Sequence, residues 1–105
     1  MNSNQNIDLN IFTFLKRYFK FEKLHNEFII NKFYRYEDEV DLLFFDFFNT
    51  FHINHKNFNI LEYFEPEPYF GFNQIKNLFL RRKEYPPITI QHLIDVAKKK
   101  EWFNP

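Results

Sequence analysis

The sequence predicts a small all-α domain of four or five helices around a phenylalanine-rich core. Three observations carry this expectation. Apolar residues recur at helical spacing in separate segments, most fully at Val40, Leu43/Phe44, Phe47/Phe48 and Phe51, and again at Ile90, Leu93/Ile94 and Ala97. The chain holds 17 Phe, 6 Tyr and 1 Trp in 105 residues, which is enough apolar volume for one core. The breaks between helical segments fall at Pro66, Pro68 and Pro86-Pro87, where regular structure cannot continue.

At this length the chain is one domain, 1–105, with 1–6 expected to fray. Asp8 is a plausible N-cap for a first helix over 9–22, whose inner face is Ile11, Phe14/Leu15 and Tyr18/Phe19. Residues 24–36 read either as a loop with an extended stretch around Phe28 to Ile30 or as a short helix. The second helix spans 37–51 and opens on Glu37, Asp38 and Glu39, carboxylates that suit the positive end of the helix dipole, with Asp41 following. Leu42 and Phe45 are expected to widen its apolar stripe and make the helix central. His52 to Asn59 is a polar turn, and Ile60 to Phe64 forms one short helical turn. Phe72, Ile75 and Leu78/Phe79 predict a helix over 72–83 that ends in Arg81, Arg82 and Lys83. Thr89 then caps a last helix over 90–101, with Trp102 on its inner side and Lys98, Lys99 and Lys100 at its C-terminal end.

Composition narrows the function. One glycine, Gly71, cannot build the loops that cradle phosphates, dinucleotides or oxyanions. With no cysteine, there is no disulfide, thiolate metal site or thiol nucleophile, a composition that suits the cytoplasm. The first ten residues lack a cationic start, and no apolar run reaches the ~18 residues of a membrane span. The net charge is zero but segregated: +3 over 1–36, −7 over 37–68 and +4 over 69–105. Such a dipolar surface steers partners.

Several constellations contain residue types that could carry chemistry. His52 and His55 have a spacing found in metal sites, with Asp46 or Glu62 as a third donor, yet they lie in an Asn-rich turn and read as a polar loop. The acids from Glu37 to Asp41 crowd an exposed helix start, which suits a docking surface better than acid–base catalysis. No metal, cofactor or catalytic residue is expected. Arg81-Arg82-Lys83 and Lys98-Lys99-Lys100 are basic clusters, and nearby Tyr85 and Trp102 could stack on bases, but the acidic middle block opposes phosphate, so no nucleic acid is expected as a partner. Tyr63 to Phe70 alternates aromatics with Pro and acids and reads either as an exposed recognition loop or as a segment in which Tyr63 and Phe64 lid the core while Glu65 and Glu67 face solvent; Phe64 is expected in the lid and Tyr69 to be exposed. The aromatic excess also predicts that some Phe reach the surface, where apolar stripes could meet across a homodimer axis.

The stretch VDLLFFDFFNTFHINHKNF resembles acyl carrier proteins, in which an acidic helix ends in Phe before a turn with a buried Ile; Phe51 and Ile53 hold those places. TIQHLIDVAKK resembles the carrier's final helix. More closely, Phe51-His52-Ile53, Phe58, Tyr63-Phe64, Glu65-Pro66, Pro87-Ile88-Thr89, Leu93 and Trp102 resemble a family of small bacterial carrier-like proteins of unknown function, whose members carry an insertion where residues 69–86 stand here. The resemblance covers about 33–103 and implies a four- to five-helix acyl-carrier-like bundle. It departs at the attachment point. Carriers have Gly-Asp-Ser there; this chain has Arg35-Tyr36-Glu37, and its single serine is Ser3, so no phosphopantetheine arm is expected. What the resemblance leaves is an acidic helix that docks a protein partner, with Tyr36, Glu37, Asp38, Asp41 and Tyr69 as the contact residues. The alternative is a carrier-derived protein holding an apolar or acyl ligand in its aromatic core.

Overall fold

The computed structural model describes residues 3–66 and 84–105. These form four helices and no strand: α1 (Ser3–Leu15), α2 (Ile30–Phe33), α3 (Glu37–Thr50) and α4 (Ile90–Lys99), with a 3-10 turn, η1, at Ile60–Glu62. The helix expected over 72–83, with Arg81 to Lys83, lies outside the described residues.

α1 starts and stops earlier than its periodicity suggested. Residues 3–6 belong to its first turns, so Asp8 is interior rather than a cap. There its carboxylate pairs with Lys98 Nζ at 3.3 Å and ties α1 to α4. Beyond Leu15 the chain turns, with Tyr18 and Phe19 N–H groups both donating to the Leu15 carbonyl. The turn still buries Phe19, which explains why the apolar spacing runs past the helix.

Both readings of 24–36 hold in part. Ile29 is extended and bridges Thr89, and α2 begins one residue later. Two further single bridges, Tyr36 with Glu65 and Asn54 with Glu101, fasten the loops in the same way. Asn31 is the polar hub of this layer. Its amide donates to the carbonyls of Pro86 at 2.7 Å and Tyr63 at 3.2 Å, and its oxygen accepts from the Ile88 N–H at 2.9 Å. Backbone groups of a buried loop are satisfied this way when no sheet is present.

α3 carries the core. Val40, Leu43, Phe44, Phe47 and Phe48 are buried on one face. Phe51, expected in that stripe, is the C-cap and only half-buried. Leu42 and Phe45 are 63% and 62% exposed, so they do not widen the core face. The core arc is centred on Val40, Leu43, Phe44 and Phe47, and at 100° per residue Leu42 and Phe45 fall on the far side.

Two helices end in left-handed residues that are not glycine, His52 (φ 54°) and Lys100 (φ 61°). At the end of α3 the Ile53 N–H donates to the Phe48 carbonyl at 2.9 Å, the long bond of a Schellman turn. α4 begins as expected: the Thr89 side chain accepts from the His92 N–H at 3.0 Å. It buries Ile90, Leu93, Ile94, Val96 and Ala97.

One cross-link sets a pH dependence. The Tyr18 hydroxyl donates to Asp46 Oδ2 at 2.6 Å and joins the turn after α1 to α3. Burial first, and then the hydrogen bond and charge of Asp46, push the Tyr18 pKa up from 10.0 to about 12. A raised phenol pKa stabilises the fold while the group stays protonated. This contribution is present below pH 10 and is lost as pH rises toward 12. In an alkaline titration of tyrosinate absorbance, Tyr18→Phe is expected to remove the highest step; its persistence would refute the assignment.

Candidate functional site

The outward face of α3 is built by the same periodicity that builds the core. With the inner arc committed to packing, Asp38, Leu42, Phe45 and Asn49 share the opposite arc with Asp41 on its flank, and all five are exposed. The helix start is fixed by its neighbours. The Glu37 N–H donates to the Glu65 carbonyl at 2.8 Å, and the Glu65 N–H donates to the Arg35 carbonyl at 2.9 Å. Glu39 folds back, and its carboxylate accepts from the Arg35 and Tyr36 N–H groups at 3.1 and 2.8 Å. This is the side-chain half of a capping box. It takes Glu39 out of the outward set although it stands in the acidic run.

The residues expected to meet a partner separate as follows. Asp38 and Asp41 lie on the outward face. Glu37 and Tyr36 are half-buried at its N-terminal edge, where the Arg35 guanidinium sits 5.4 Å from the Tyr36 ring. Tyr69 lies outside the described residues. Leu42 and Phe45 were missed as surface residues. Their angular distance from Val40 and Phe47 was the available signal, but their apolar character masked it.

Glu65 does not face solvent as expected. It is buried and paired with Arg35, whose side chain remains half-exposed. The bond from Glu65 outweighs desolvation and raises the Arg35 pKa, so the guanidinium is held charged. This pair neutralises charge beside the acidic helix instead of adding to it. Phe64 is buried as expected, and Tyr63, which the sequence left open, is buried beside it.

Several of the remaining described residues make packing or turn contacts, while Arg81, Arg82 and Lys83 lie outside the described residues. The His55 ring stacks on Phe48 at 4.8 Å. Among the described residues no group of three or more His, Cys, Asp or Glu could hold a metal ion. Lys98 pairs with Asp8, Lys99 sits 5.0 Å from the Phe103 ring, and Lys100 is the left-handed cap of α4. Each lysine thus has a structural contact or turn to account for it. No described helix is long and apolar enough to cross a membrane.

Comparison with known proteins places the chain in one family. Residues 4–104 match the family described as "Protein of unknown function (DUF1493)", and the chain belongs to that family. No curated protein and no solved structure matches it.

Proposed function

We propose that this family member is a non-enzymatic protein–protein interaction module, of a carrier-derived bacterial and cytoplasmic type, that docks a basic partner on the outward face of α3. One observation carries the reading: Asp38 and Asp41 share a solvent-exposed helix face with Leu42 and Phe45. Apolar anchors beside like-signed charges are how a surface combines affinity with partner choice. A large side chain left in water gains nothing for the monomer, whereas covering it with a partner removes apolar area at roughly 25 cal/mol per Å². The carboxylates sit near the helix start, where the dipole favours them without further counter-charge. Such a module serves as an adaptor or as an immunity-type inhibitor of a cognate toxin.

Nothing in this reading needs phosphopantetheine, because α3 opens on Tyr36-Glu37 instead of a serine. Holding an apolar ligand in the core has less support. The rings of Phe44, Phe48, Phe58, Tyr63 and Trp102 already contact one another, with centroids from 4.7 to 6.4 Å apart.

The test is a tagged pull-down from the source organism, read by mass spectrometry, beside a Glu37→Lys/Asp38→Lys/Asp41→Lys variant. One dominant protein is expected that the variant loses and that elutes as salt rises. The same proteins on both baits would remove the acidic face from consideration.

A further inference from the structure

The outward face of α3 has a spacing as well as a composition. Asp38, Leu42, Phe45 and Asn49 follow one another at intervals of four, three and four residues. That is the a/d spacing of a coiled coil, about three turns long, on a helix whose other face is fully used by its own core. The seam is self-complementary in one orientation only. If a second α3 lies parallel, Asp38 meets the partner subunit's Asp38 and two carboxylates are forced together. If it lies antiparallel, centred between Leu42 and Phe45, every position meets a different one. Leu42 then packs on the partner subunit's Phe45, and Asp38 accepts a hydrogen bond from the amide of the partner subunit's Asn49. The helix dipoles oppose and the contacts repeat across a two-fold axis, which closes the assembly at two chains.

We propose that α3 is the seam of an antiparallel homodimer. The inference uses the same face as the docking reading but does not require that a partner exist. Where both hold, the second copy covers Leu42 and Phe45 until a basic partner displaces it. Two features set its strength. Leu42 and Phe45 are the two large apolar side chains on this stripe, exposed at 63% and 62%, so the buried patch is small against a standard interface of roughly 1,600 Å². The dissociation constant is therefore expected at about 10–100 µM. The two copies of Asp41 fall on the same flank, offset by about 7.5 Å along the axis from the helical rise. Their mild repulsion is screened by salt, so salt tightens the dimer, opposite to its effect on docking a basic partner.

The chain contains no cysteine, which makes the register directly testable. Full-length Asp38→Cys and Asn49→Cys are prepared separately, mixed, and oxidised. A disulfide between the two variants is expected, with little when either is oxidised alone, because like positions lie about 16 Å apart along the axis in this register. Sedimentation of the unmodified chain should show mass rising from one chain toward two as concentration passes through the range above. Phe45→Glu should stay at one chain with an unchanged circular dichroism spectrum. A single-chain mass at about 500 µM, five times the upper bound above, overturns the dimer. Self-cross-linking of either variant alone overturns the antiparallel register. Neither result touches the pull-down, so failure of the dimer and failure of partner docking are read separately.

Discussion

Phe44→Ala is expected to lower the stability of the fold by about 3–5 kcal/mol. Phe44 lies where three parts of the chain converge. Its ring stacks on Phe58 at 5.0 Å, meets Phe64 edge-on at 5.8 Å and Trp102 edge-on at 6.4 Å, and tilts against Phe48 at 6.0 Å. Truncation removes the transfer free energy of a buried ring. It also leaves a cavity whose walls are other rings, which fill a void poorly because they move as rigid plates. A domain of this size has only about 5–15 kcal/mol in total, so the loss is a large share of it. The one tryptophan, Trp102, touches the mutated position and reports the transition. Urea unfolding followed by its fluorescence should show a lower midpoint at unchanged slope. The neighbouring Phe45→Ala is the control, and its cost should stay within about 0.5 kcal/mol because Phe45 faces water. Equal costs at the two positions would mean that α3 is rotated from the orientation described.

How far such a contrast is legible in sequence depends on what set each residue's place. Wherever one helix meets one core, periodicity sufficed: Val40, Leu43, Phe44, Phe47 and Phe48 on α3, and Leu93, Ile94 and Ala97 on α4. The Thr89 cap and the helical turn after Asn59 were also legible, because both follow from local hydrogen bonding. Helix ends set by packing were not. Tyr18 and Phe19 continue the apolar rhythm of α1 from a turn, so spacing alone cannot show that the helix has stopped at Leu15. The left-handed ends at His52 and Lys100 lacked their usual marker, since neither is glycine. Glu39 and Asp38 are adjacent acids with different fates, one folded back onto backbone N–H groups and the other facing water. Only the path of Arg35 and Tyr36 into the helix separates them. Leu42 and Phe45 are apolar side chains at the outward angle of α3, so hydrophobicity and periodicity point opposite ways there, and both the docking and the dimer readings rest on them.

Trp102→Ala alone is expected to cost about 3–5 kcal/mol, and to do so through the C-terminal tail. The tail has no helix or sheet to hold it. It is held by a backbone exchange with the loop after α3, in which the Asn54 N–H donates to the Lys100 carbonyl at 2.9 Å and the Trp102 N–H donates to the Asn54 carbonyl at 2.8 Å. The indole then anchors that exchange among Phe58, Tyr63 and His92, at 4.7, 5.6 and 5.0 Å. Two further bonds close over it: His92 Nε2 meets the Phe103 carbonyl at 2.8 Å, and the Tyr63 hydroxyl donates to Asn104 Oδ1 at 2.8 Å. Without the indole these contacts have no buried partner to oppose the entropy of an ordered tail. His92 supplies an independent reading. Burial lowers its pKa below 6.5, and the bond to Phe103 opposes this less strongly. The neutral ring is therefore favoured in the folded state, a contribution present above pH 6.5 and lost as pH falls. If Trp102→Ala opens the tail, the His92 pKa followed by NMR should rise toward that ordinary value. A large stability loss with an unmoved His92 would mean that the variant damages the core while the tail stays closed, and the anchoring role would belong to Phe103 and Asn104 instead.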